Sequence, residues 1–201
     1  MTRVSSDLVS GAILAGGHSR RMGHDKALLE LDGRPMIAVV AEQLRAVAAE
    51  VIVAADDSRF YAPFADRCVP DHYSGVGTLG GIHAALAAAT HDRVLVVGCD
   101  MPFLKPVVLR WFVEAAEAAE VVILRQGRWV EPLHALYRKS CRPAIEEAIE
   151  SGRRRVISFF ESVRVRYVEP REIAHLDPDL RSFVNINTLE EWQAAGGSGG
   201  V

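Results

Sequence analysis

The sequence has little cysteine, no long apolar run and no large excess of charge of one sign, and each shortage excludes a class of protein. Only three of its 201 residues are cysteines, and they form neither a CxxC pair nor a zinc-binding spacing. This odd number predicts reduced thiols rather than a disulfide framework. No apolar run reaches the ~20 residues of a membrane span. The net charge of −3 gives no overall attraction to nucleic acid or to an anionic membrane.

The two ends of the chain differ from its middle. The opening residues, MTRVSSDLVSGAILAGG, contain one early Arg, a short apolar stretch and no cleavage site of the A-x-A type. This is a poor match to a secretion signal, and with the unpaired thiols it predicts a cytoplasmic protein. The length suits a single domain at 1–193 with its own core. The Gly- and Ser-rich tail at 194–201 is predicted to be flexible.

Between these ends, apolar segments alternate with helical patterns. Strands are predicted at 8–14, 51–55, 93–97, 121–124 and 163–168, with a short one ending at Val69. Helices are predicted at 36–47, 79–89, 107–119 and 140–149. The alternation predicts a three-layer α/β/α fold with a Rossmann-like, mostly parallel sheet, and 125–137 is predicted as one antiparallel excursion around Gly127. Ligands of such sheets bind at the carboxyl ends of the strands.

The loop after the first strand, LAGGHSRRMGHDK at 14–26, has the chemistry of a polyphosphate site. Its paired glycines leave backbone N–H groups accessible to phosphate oxygens, and Arg20, Arg21 and Lys26 add cations. A glycine turn followed by solvated basic residues is the alternative, but the position directly after a buried strand favours the phosphate site. The spacing matches neither a P-loop nor a dinucleotide-binding motif.

The segment VGCDMPF places Asp100 at the carboxyl end of a central strand. A carboxylate there suits Mg²⁺, which is typically bound by one or two carboxylates and completes its shell with phosphate oxygens and water. Asp100 could equally cap the helix predicted to begin near Lys105. Both interpretations stay open at this stage.

Glycines surround the start of the helix that follows Val69. Gly80 and Gly81 allow a ligand to approach the helix N-terminus, and Asp71 is able to accept hydrogen bonds from a base or a ribose. The alternative is a flexible surface loop with Asp71 in a turn.

Near the C-terminus, the motif NINT carries Asn185 and Asn187, which face the same side of an extended segment. Two amides in this arrangement suit a polar acceptor substrate. Capping of the last helix would explain Asn187 but not Asn185. By contrast, His83, His91 and His175 are isolated in the sequence and are predicted to be surface or core residues rather than ligands.

Taken in order, these motifs resemble the signature of the molybdenum cofactor guanylyltransferases. LAGGHSRRMGHDKALLELDGRPMI matches the pattern LAGGxSxRMGxDKAxL followed by GxP, and the likeness continues through GTLGGIHAAL, CDMPFL, EPLHALY, SGRRRVISFF and VNINTLEE. The resemblance covers the chain from about residue 8 to residue 192. It implies transfer of GMP from GTP to molybdenum-bound molybdopterin, which forms molybdopterin guanine dinucleotide and pyrophosphate.

The resemblance also implies roles for individual residues. The residues expected to bind the nucleotide are Leu14, Ala15, Gly16, Gly17, Lys26, Asp71, Gly80 and Asp100. Gly17 and Gly80 are included because of their positions in the two glycine-containing motifs. Asp100 would also bind Mg²⁺, the expected cofactor, and would act in catalysis with Lys26, Arg20 and Arg21. Asn185 and Asn187 would lie on the pterin side, and the basic stretch 153–155 would face the pterin phosphate. Transient contact with molybdoenzymes or their chaperones is left open.

Two departures and two rival functions accompany this resemblance. Ala54 stands where the family often has Asn, which removes one expected guanosine contact, and Leu189 replaces a common Pro. One rival is a related nucleotidyltransferase that uses CTP or a sugar phosphate, although such enzymes often read LAAG where this chain reads LAGG at 14–17. The other rival is a non-catalytic nucleotide-binding protein that delivers the cofactor. The presence of Asp100 and Lys26 argues against that second rival.

Overall fold

The computed structural model describes residues 8–15, 26–31, 33–56, 58–73, 75–186, 191 and 194. Part of the predicted site lies outside the described residues, namely Gly16, Gly17, Arg20, Arg21 and Asn187, and so does nearly all of the predicted tail. Lys26 begins a short 3-10 turn, Lys26–Leu28, and only its backbone is described.

The elements follow the predicted order. The strands are β1 (Val9–Leu14), β2 (Glu30–Leu31), β3 (Arg34–Pro35), β4 (Glu50–Ala54), β5 (Arg67–Val69), β6 (Arg93–Gly98), β7 (Val121–Gln126), β8 (Trp129–Arg138) and β9 (Val165–Val168). The α-helices are α1 (Met36–Arg45), α2 (Thr78–Ala88), α3 (Pro106–Glu114), α4 (Arg142–Glu150) and α5 (Pro170–Ile173). Further 3-10 turns occupy Ser58–Phe60, Ala62–Phe64, Lys139–Cys141, Val156–Ser162 and Arg181–Phe183.

The described residues form a seven-stranded sheet in the order β5-β4-β1-β6-β8-β7-β9, with β2 and β3 paired separately. β8 runs antiparallel to both of its neighbours, and the other strands run parallel to one another. The turn into β8 uses Gly127 with a φ of 61°, a conformation that favours glycine. The predicted mostly parallel sheet with one antiparallel excursion is therefore confirmed.

Helices cover both faces of this sheet, which gives the predicted three layers. Apolar residues of α1, α3 and α5 pack on one face, and those of α2 and α4 pack on the other. Strands β1, β4 and β6 are buried along nearly all of their length and consist mostly of apolar residues, as expected for central parallel strands. Among the described residues, no helix is long and apolar enough to span a membrane.

Helix α1 shows how closely these layers pack beside the first motif. Its buried residues share one stripe at helical spacing: Met36, Ile37, Val40, Ala41 and Leu44. A Cβ at Gly11 in β1 would lie 2.5 Å from Cγ of Leu44. Full burial of such a leucine contributes roughly 1.5–3 kcal/mol. A larger residue at Gly11 would push the helix away from the strand whose end opens the site.

The helix predicted at 107–119 ends early, at Glu114. Two arginines that are distant in sequence explain the difference because they donate hydrogen bonds to backbone carbonyls just beyond the helix. The guanidinium of Arg138 donates to the carbonyl oxygens of residues 117 and 119, and Nε of Arg164 donates to that of residue 118 at 2.8 Å. These carbonyls therefore have partners without a further helical turn.

Candidate functional site

The ends of β1, β4 and β6 form one edge of the sheet, where the predicted nucleotide-binding residues gather. The backbone N–H of Ala15 donates to the carbonyl of Ala54 at 3.0 Å, and that of Cys99 donates to the carbonyl of Leu14 at 3.2 Å. Leu14 and Ala15 are buried. The end of β1 therefore lies beside the start of the Asp100 loop, as the parallel topology predicts.

Asp100 follows β6 and folds back over the end of that strand. A Cβ at Gly98 would lie 2.5 Å from Oδ1 of Asp100, so the missing side chain makes room for the carboxylate. Helix α3 begins at Pro106, with Lys105 as its N-cap and no side-chain hydrogen bond to the cap. The alternative that Asp100 caps this helix is therefore wrong.

Asp71 lies at the N-terminus of α2, against Gly80. A Cβ at Gly80 would collide with the Asp71 carboxylate, so in this structure the glycine makes room for Asp71. The N–H of Tyr73 donates to Oδ1 of Asp71 at 2.8 Å, which confirms the turn that was the alternative for this residue. Burial raises the pKa of Asp71, the Tyr73 N–H opposes this rise, and the negative charge of Asp56 adds to it.

Helix α2 brings Asp71 close to β1. A Cβ at Gly81 would lie 3.3 Å from Cδ1 of Leu14, so the helix N-terminus and the end of the strand are in near contact. His83, one turn further along α2, is buried, and its Nε2 lies 2.7 Å from Oε1 of Glu146 in α4. Its ring meets that of Tyr73 edge-on, with centroids 5.0 Å apart. His83 was expected to be either a surface or a core residue, and the structure places it in the core.

The loop between Asp71 and α2 also contacts the basic stretch at 153–155. Gly75 and Gly77 have positive φ angles of 77° and 76°, which only glycine adopts readily. Nη1 of Arg154 donates to the carbonyl of Gly75 at 3.3 Å. The stretch that the resemblance associates with the pterin phosphate therefore borders the Asp71 loop.

The C-terminal motif reaches the same edge of the sheet. The N–H of Ile186 donates to the carbonyl oxygen of Asp100 at 2.8 Å, so the neighbouring Asn185 lies beside the Asp100 loop. Oδ1 of Asn185 is buried and has no hydrogen-bond partner among the described residues. The structure thus brings Asn185 together with Asp100, while the role of Asn185 toward an acceptor stays a prediction.

A buried polar network that the sequence did not reveal holds this C-terminal segment. Asp177 accepts hydrogen bonds from the backbone N–H and the hydroxyl of Ser182. It also forms an ion pair with Lys105. Burial opposes ionisation of Asp177, but these bonds outweigh it and lower its pKa. His134 of β8 stacks on Phe183 with centroids 4.1 Å apart, and its Nδ1 lies 3.1 Å from the carbonyl of Ser182. Burial lowers the pKa of His134 to about 4.

Glu131 of β8 is a second residue that sequence reasoning missed. Its side chain is buried, with 4% of the residue exposed, and the N–H of Leu133 donates to its Oε1 at 2.9 Å. Burial raises the pKa of Glu131 to about 7, the Leu133 N–H opposes the rise, and the charge of Asp100 adds to it. A glutamate within a predominantly apolar strand was the available signal, because such residues are rarely buried without a role.

The oxygens at this edge suit a hard divalent cation. Asp100 supplies a carboxylate, and the unpartnered Oδ1 of Asn185 is a further buried oxygen. Mg²⁺ prefers oxygen ligands and takes several of them from phosphates and water. No group of three or more His, Cys, Asp or Glu with metal-binding geometry occurs within the described ranges. The donor set therefore fits a cation that shares its shell with a substrate.

Comparison with known proteins agrees with this geometry. A family model of the MobA-like NTP transferase domain matches residues 11–166. A protein of Pelotomaculum thermopropionicum named "probable molybdenum cofactor guanylyltransferase" is 44% identical over 179 residues, which are 89% of this chain and 87% of that protein. The molybdenum cofactor guanylyltransferase of Desulfosudis oleivorans is 37% identical over 191 residues, covering 94% of this chain and 95% of its own length.

Solved structures extend the comparison to three dimensions. Molybdopterin-guanine dinucleotide biosynthesis protein A of Archaeoglobus fulgidus superposes with a TM-score of 0.79 at 31% identity, covering 93% of this chain and 96% of that one. The family predicted from the ordered motifs is confirmed. This chain belongs to the MobA-like NTP transferases and, within them, to the family of molybdenum cofactor guanylyltransferases.

Proposed function

We propose that this protein transfers GMP from GTP to the phosphate of molybdenum-bound molybdopterin, releasing pyrophosphate. The observation that carries the proposal is the hydrogen bond from Ile186 N–H to the Asp100 carbonyl. It joins the segment expected to bind the acceptor to the loop expected to bind the nucleotide. The relatives named as molybdenum cofactor guanylyltransferases support the same reaction.

The proposed reaction depends on the alignment of the two substrates more than on proton transfer. The acceptor is a phosphate monoester, which is already ionised near neutral pH, so its oxygen attacks the α-phosphorus of GTP without a strong general base. The bond from that phosphorus to the bridging oxygen of pyrophosphate breaks as the new one forms. Catalysis then rests on positioning and on neutralising charge.

Each part of the edge has a role in this proposal. Asp100 would hold Mg²⁺, which neutralises phosphate charge when bound, and Asp71 would accept hydrogen bonds from the nucleoside. Lys26, Arg20 and Arg21 would hold the β- and γ-phosphates. Asn185, on the C-terminal segment, would orient the acceptor.

The choice of GTP over CTP is a separate part of the proposal. The Gly16-Gly17 pair supports guanine through the family resemblance, whereas Ala54 ends β4 at this edge where the resemblance leads us to expect an Asn. A ligand that binds the folded state raises the melting temperature. We expect GTP with Mg²⁺ to raise it more than CTP does at equal concentration, and a larger shift with CTP would favour the rival nucleotidyltransferase.

Pyrophosphate release tests the reaction itself. Purified protein with GTP, Mg²⁺ and molybdenum-bound molybdopterin is expected to release one pyrophosphate for each dinucleotide formed. Omission of the acceptor is the control for GTP hydrolysis. Tight binding of both substrates without release would instead support the non-catalytic delivery protein.

The proposal also includes the cellular compartment of the reaction and the proteins that receive its product. None of Cys68, Cys99 and Cys141 forms a disulfide, which is typical of proteins in a reducing compartment and supports the cytoplasm. Transient contact with molybdoenzymes or their chaperones would deliver the product. A pull-down of candidate molybdoenzymes with and without bound dinucleotide tests this part.

A further inference from the structure

The Asp71 carboxylate is held on one side by its own turn. The N–H of Tyr73 donates to Oδ1 of Asp71 at 2.8 Å, which is the usual contact between an aspartate and the backbone two residues later. The N–H of Val76 donates to the carbonyl of Tyr73 at 3.2 Å, so the turn folds around Tyr73. Because one oxygen of the carboxylate is fixed to the backbone of Tyr73, the direction of the other oxygen follows the orientation of Tyr73.

The ring of Tyr73 packs against a buried histidine of α2. The rings of Tyr73 and His83 meet edge-on, with 77° between their planes and their centroids 5.0 Å apart, an arrangement that aromatic pairs prefer. His83 is three residues after Gly80, so both residues lie on the same side of the helix. The Asp71 carboxylate packs on that side, against Gly80. The histidine therefore supports the turn from below the carboxylate.

An acidic residue of α4 fixes the ring of His83. Nε2 of His83 lies 2.7 Å from Oε1 of Glu146, and the hydrogen bond with His83 lowers the pKa of Glu146. The ionised carboxylate only accepts hydrogen bonds, so Nε2 of His83 carries the proton. Nη2 of Arg142 donates to the same oxygen of Glu146 at 3.2 Å. The ring can turn only by breaking a hydrogen bond to a charged group, which is stronger than a bond between neutral groups.

We propose that His83 is a positioning residue for recognition of the nucleoside. Glu146 fixes its ring, the ring orients Tyr73, and Tyr73 directs the Asp71 carboxylate toward GTP. This inference rests on the proposed function, in which Asp71 accepts hydrogen bonds from the nucleoside. His83 acts through Asp71 and does not touch the substrate, so its effect is confined to the nucleoside part of GTP. The triphosphate is left to the loop at 14–26.

The Kd values for GTP and for inorganic tripolyphosphate, measured by calorimetry with Mg²⁺ and without the acceptor, test this role apart from turnover. His83→Gln keeps a hydrogen-bond donor for Glu146 but removes the ring. We expect its Kd for GTP to rise about 3- to 10-fold, as for the loss of one aromatic contact, with an unchanged Kd for tripolyphosphate. His175→Gln, the same substitution at an exposed position after α5, is the matched control and is expected to bind both ligands like the wild type.

Two further comparisons test whether the effect passes through Tyr73 and Asp71. Tyr73→Phe keeps the ring and is expected to restore most of the affinity for GTP that Tyr73→Ala loses. In an Asp71→Ala background, His83→Gln is expected to cause no further rise in the Kd for GTP, because the carboxylate that it directs is absent. A further rise there, or an equal loss of affinity for tripolyphosphate, would overturn the inference.

The Tyr73 variants also decide the matter if His83→Gln fails to fold, because Tyr73 is only half-buried. An affinity of Tyr73→Ala for GTP equal to that of the wild type would then refute the inference.

Turnover separates this inference from the proposed function. Wild-type pyrophosphate release together with an unchanged Kd for GTP in His83→Gln would refute the positioning role and leave the reaction standing. A Kd raised for GTP alone, in a protein whose wild type releases no pyrophosphate, would support the positioning role and refute the reaction.

Discussion

Asp71 and Asp100 lie at the same edge of the sheet, and each packs against a glycine, but their surroundings differ. Asp71 meets the N–H of Tyr73 at the start of α2, so its neighbourhood is one of hydrogen-bond donors. The Asp100 loop instead accepts a backbone hydrogen bond from Ile186, next to Asn185, whose buried amide oxygen has no partner among the described residues. The first setting suits the neutral donors of a nucleoside, whereas the second suits a cation. Substitutions of the two carboxylates are therefore expected to affect the reaction in different ways.

The largest difference is expected from paired Asp→Asn variants. Asp100→Asn removes charge from the proposed metal site, and loss of one electrostatic partner of this kind costs about 10²–10³-fold in kcat. Asp71→Asn removes a hydrogen-bond acceptor for the nucleoside, and we expect its KM for GTP to rise about tenfold with little change in kcat. Steady-state pyrophosphate release measures both variants.

Asp92→Asn, an exposed position before the amino end of β6, is the control for these variants and is expected to act like the wild type. An equal loss of kcat in the Asp71 and Asp100 variants would mean that the two carboxylates share one role.

A second prediction concerns His134, which packs against the C-terminal segment near Asp100. The pKa of His134 is about 4 in the folded protein, against an ordinary value of 6.5. The unfolded chain therefore takes up a proton between these values while the folded protein does not. Stability from this group is complete above pH 6.5 and is lost as the pH falls toward 4, by about 2 kcal/mol between pH 7 and pH 5.

Urea unfolding at several pH values measures this loss. His134→Gln removes the titrating group and is expected to show a pH dependence shallower by that amount, although its stability at pH 7 will be lower because the stacking on Phe183 is lost. Parallel curves for the variant and the wild type would contradict the assignment. The other histidines are present in both proteins and cancel in the comparison.

The smallest predicted effect is at Gly80. Gly80→Ala places a methyl group where the Asp71 carboxylate lies, and rotation of that short side chain would relieve the clash. We expect a rise in the KM for GTP that does not exceed the tenfold rise of Asp71→Asn, with a wild-type kcat. In an Asp71→Ala background the same change is expected to have no further effect, because the colliding group is absent. Additive effects would show that Gly80 contacts the nucleotide by itself.

Much of this edge could be predicted from local sequence. Gly98 and Asp100 lie two residues apart, and their relation follows from a strand that ends in a turn. The loops after Leu14 and Val97 were expected at one edge because consecutive parallel strands end together. The burial of β6 on both faces was visible as a continuous apolar run within 93–97. These features depend on neighbouring residues and on the period of the chain.

Other features depend on residues that are distant in sequence. The burial of Glu131 depends on how β8 packs within the sheet, which the sequence around it does not reveal. The early end of α3 depends on Arg138 and Arg164, which no helical pattern at 107–119 reveals. His134 became a support of the C-terminal segment only because Ser182 and Phe183 pack against it.

The sequence by itself determined the family, the alternating α/β architecture and the carboxylate that ends the central strand, because motif spacing and hydrophobic period are carried by neighbouring residues. Only the tertiary structure decided which groups surround that carboxylate. The hydrogen bond from Ile186 sets Asn185 beside the Asp100 loop, and the Asp177 network holds the segment that precedes Asn185. The physical reason is that a strand's register and a buried hydrogen bond are chosen by the packing of the whole core.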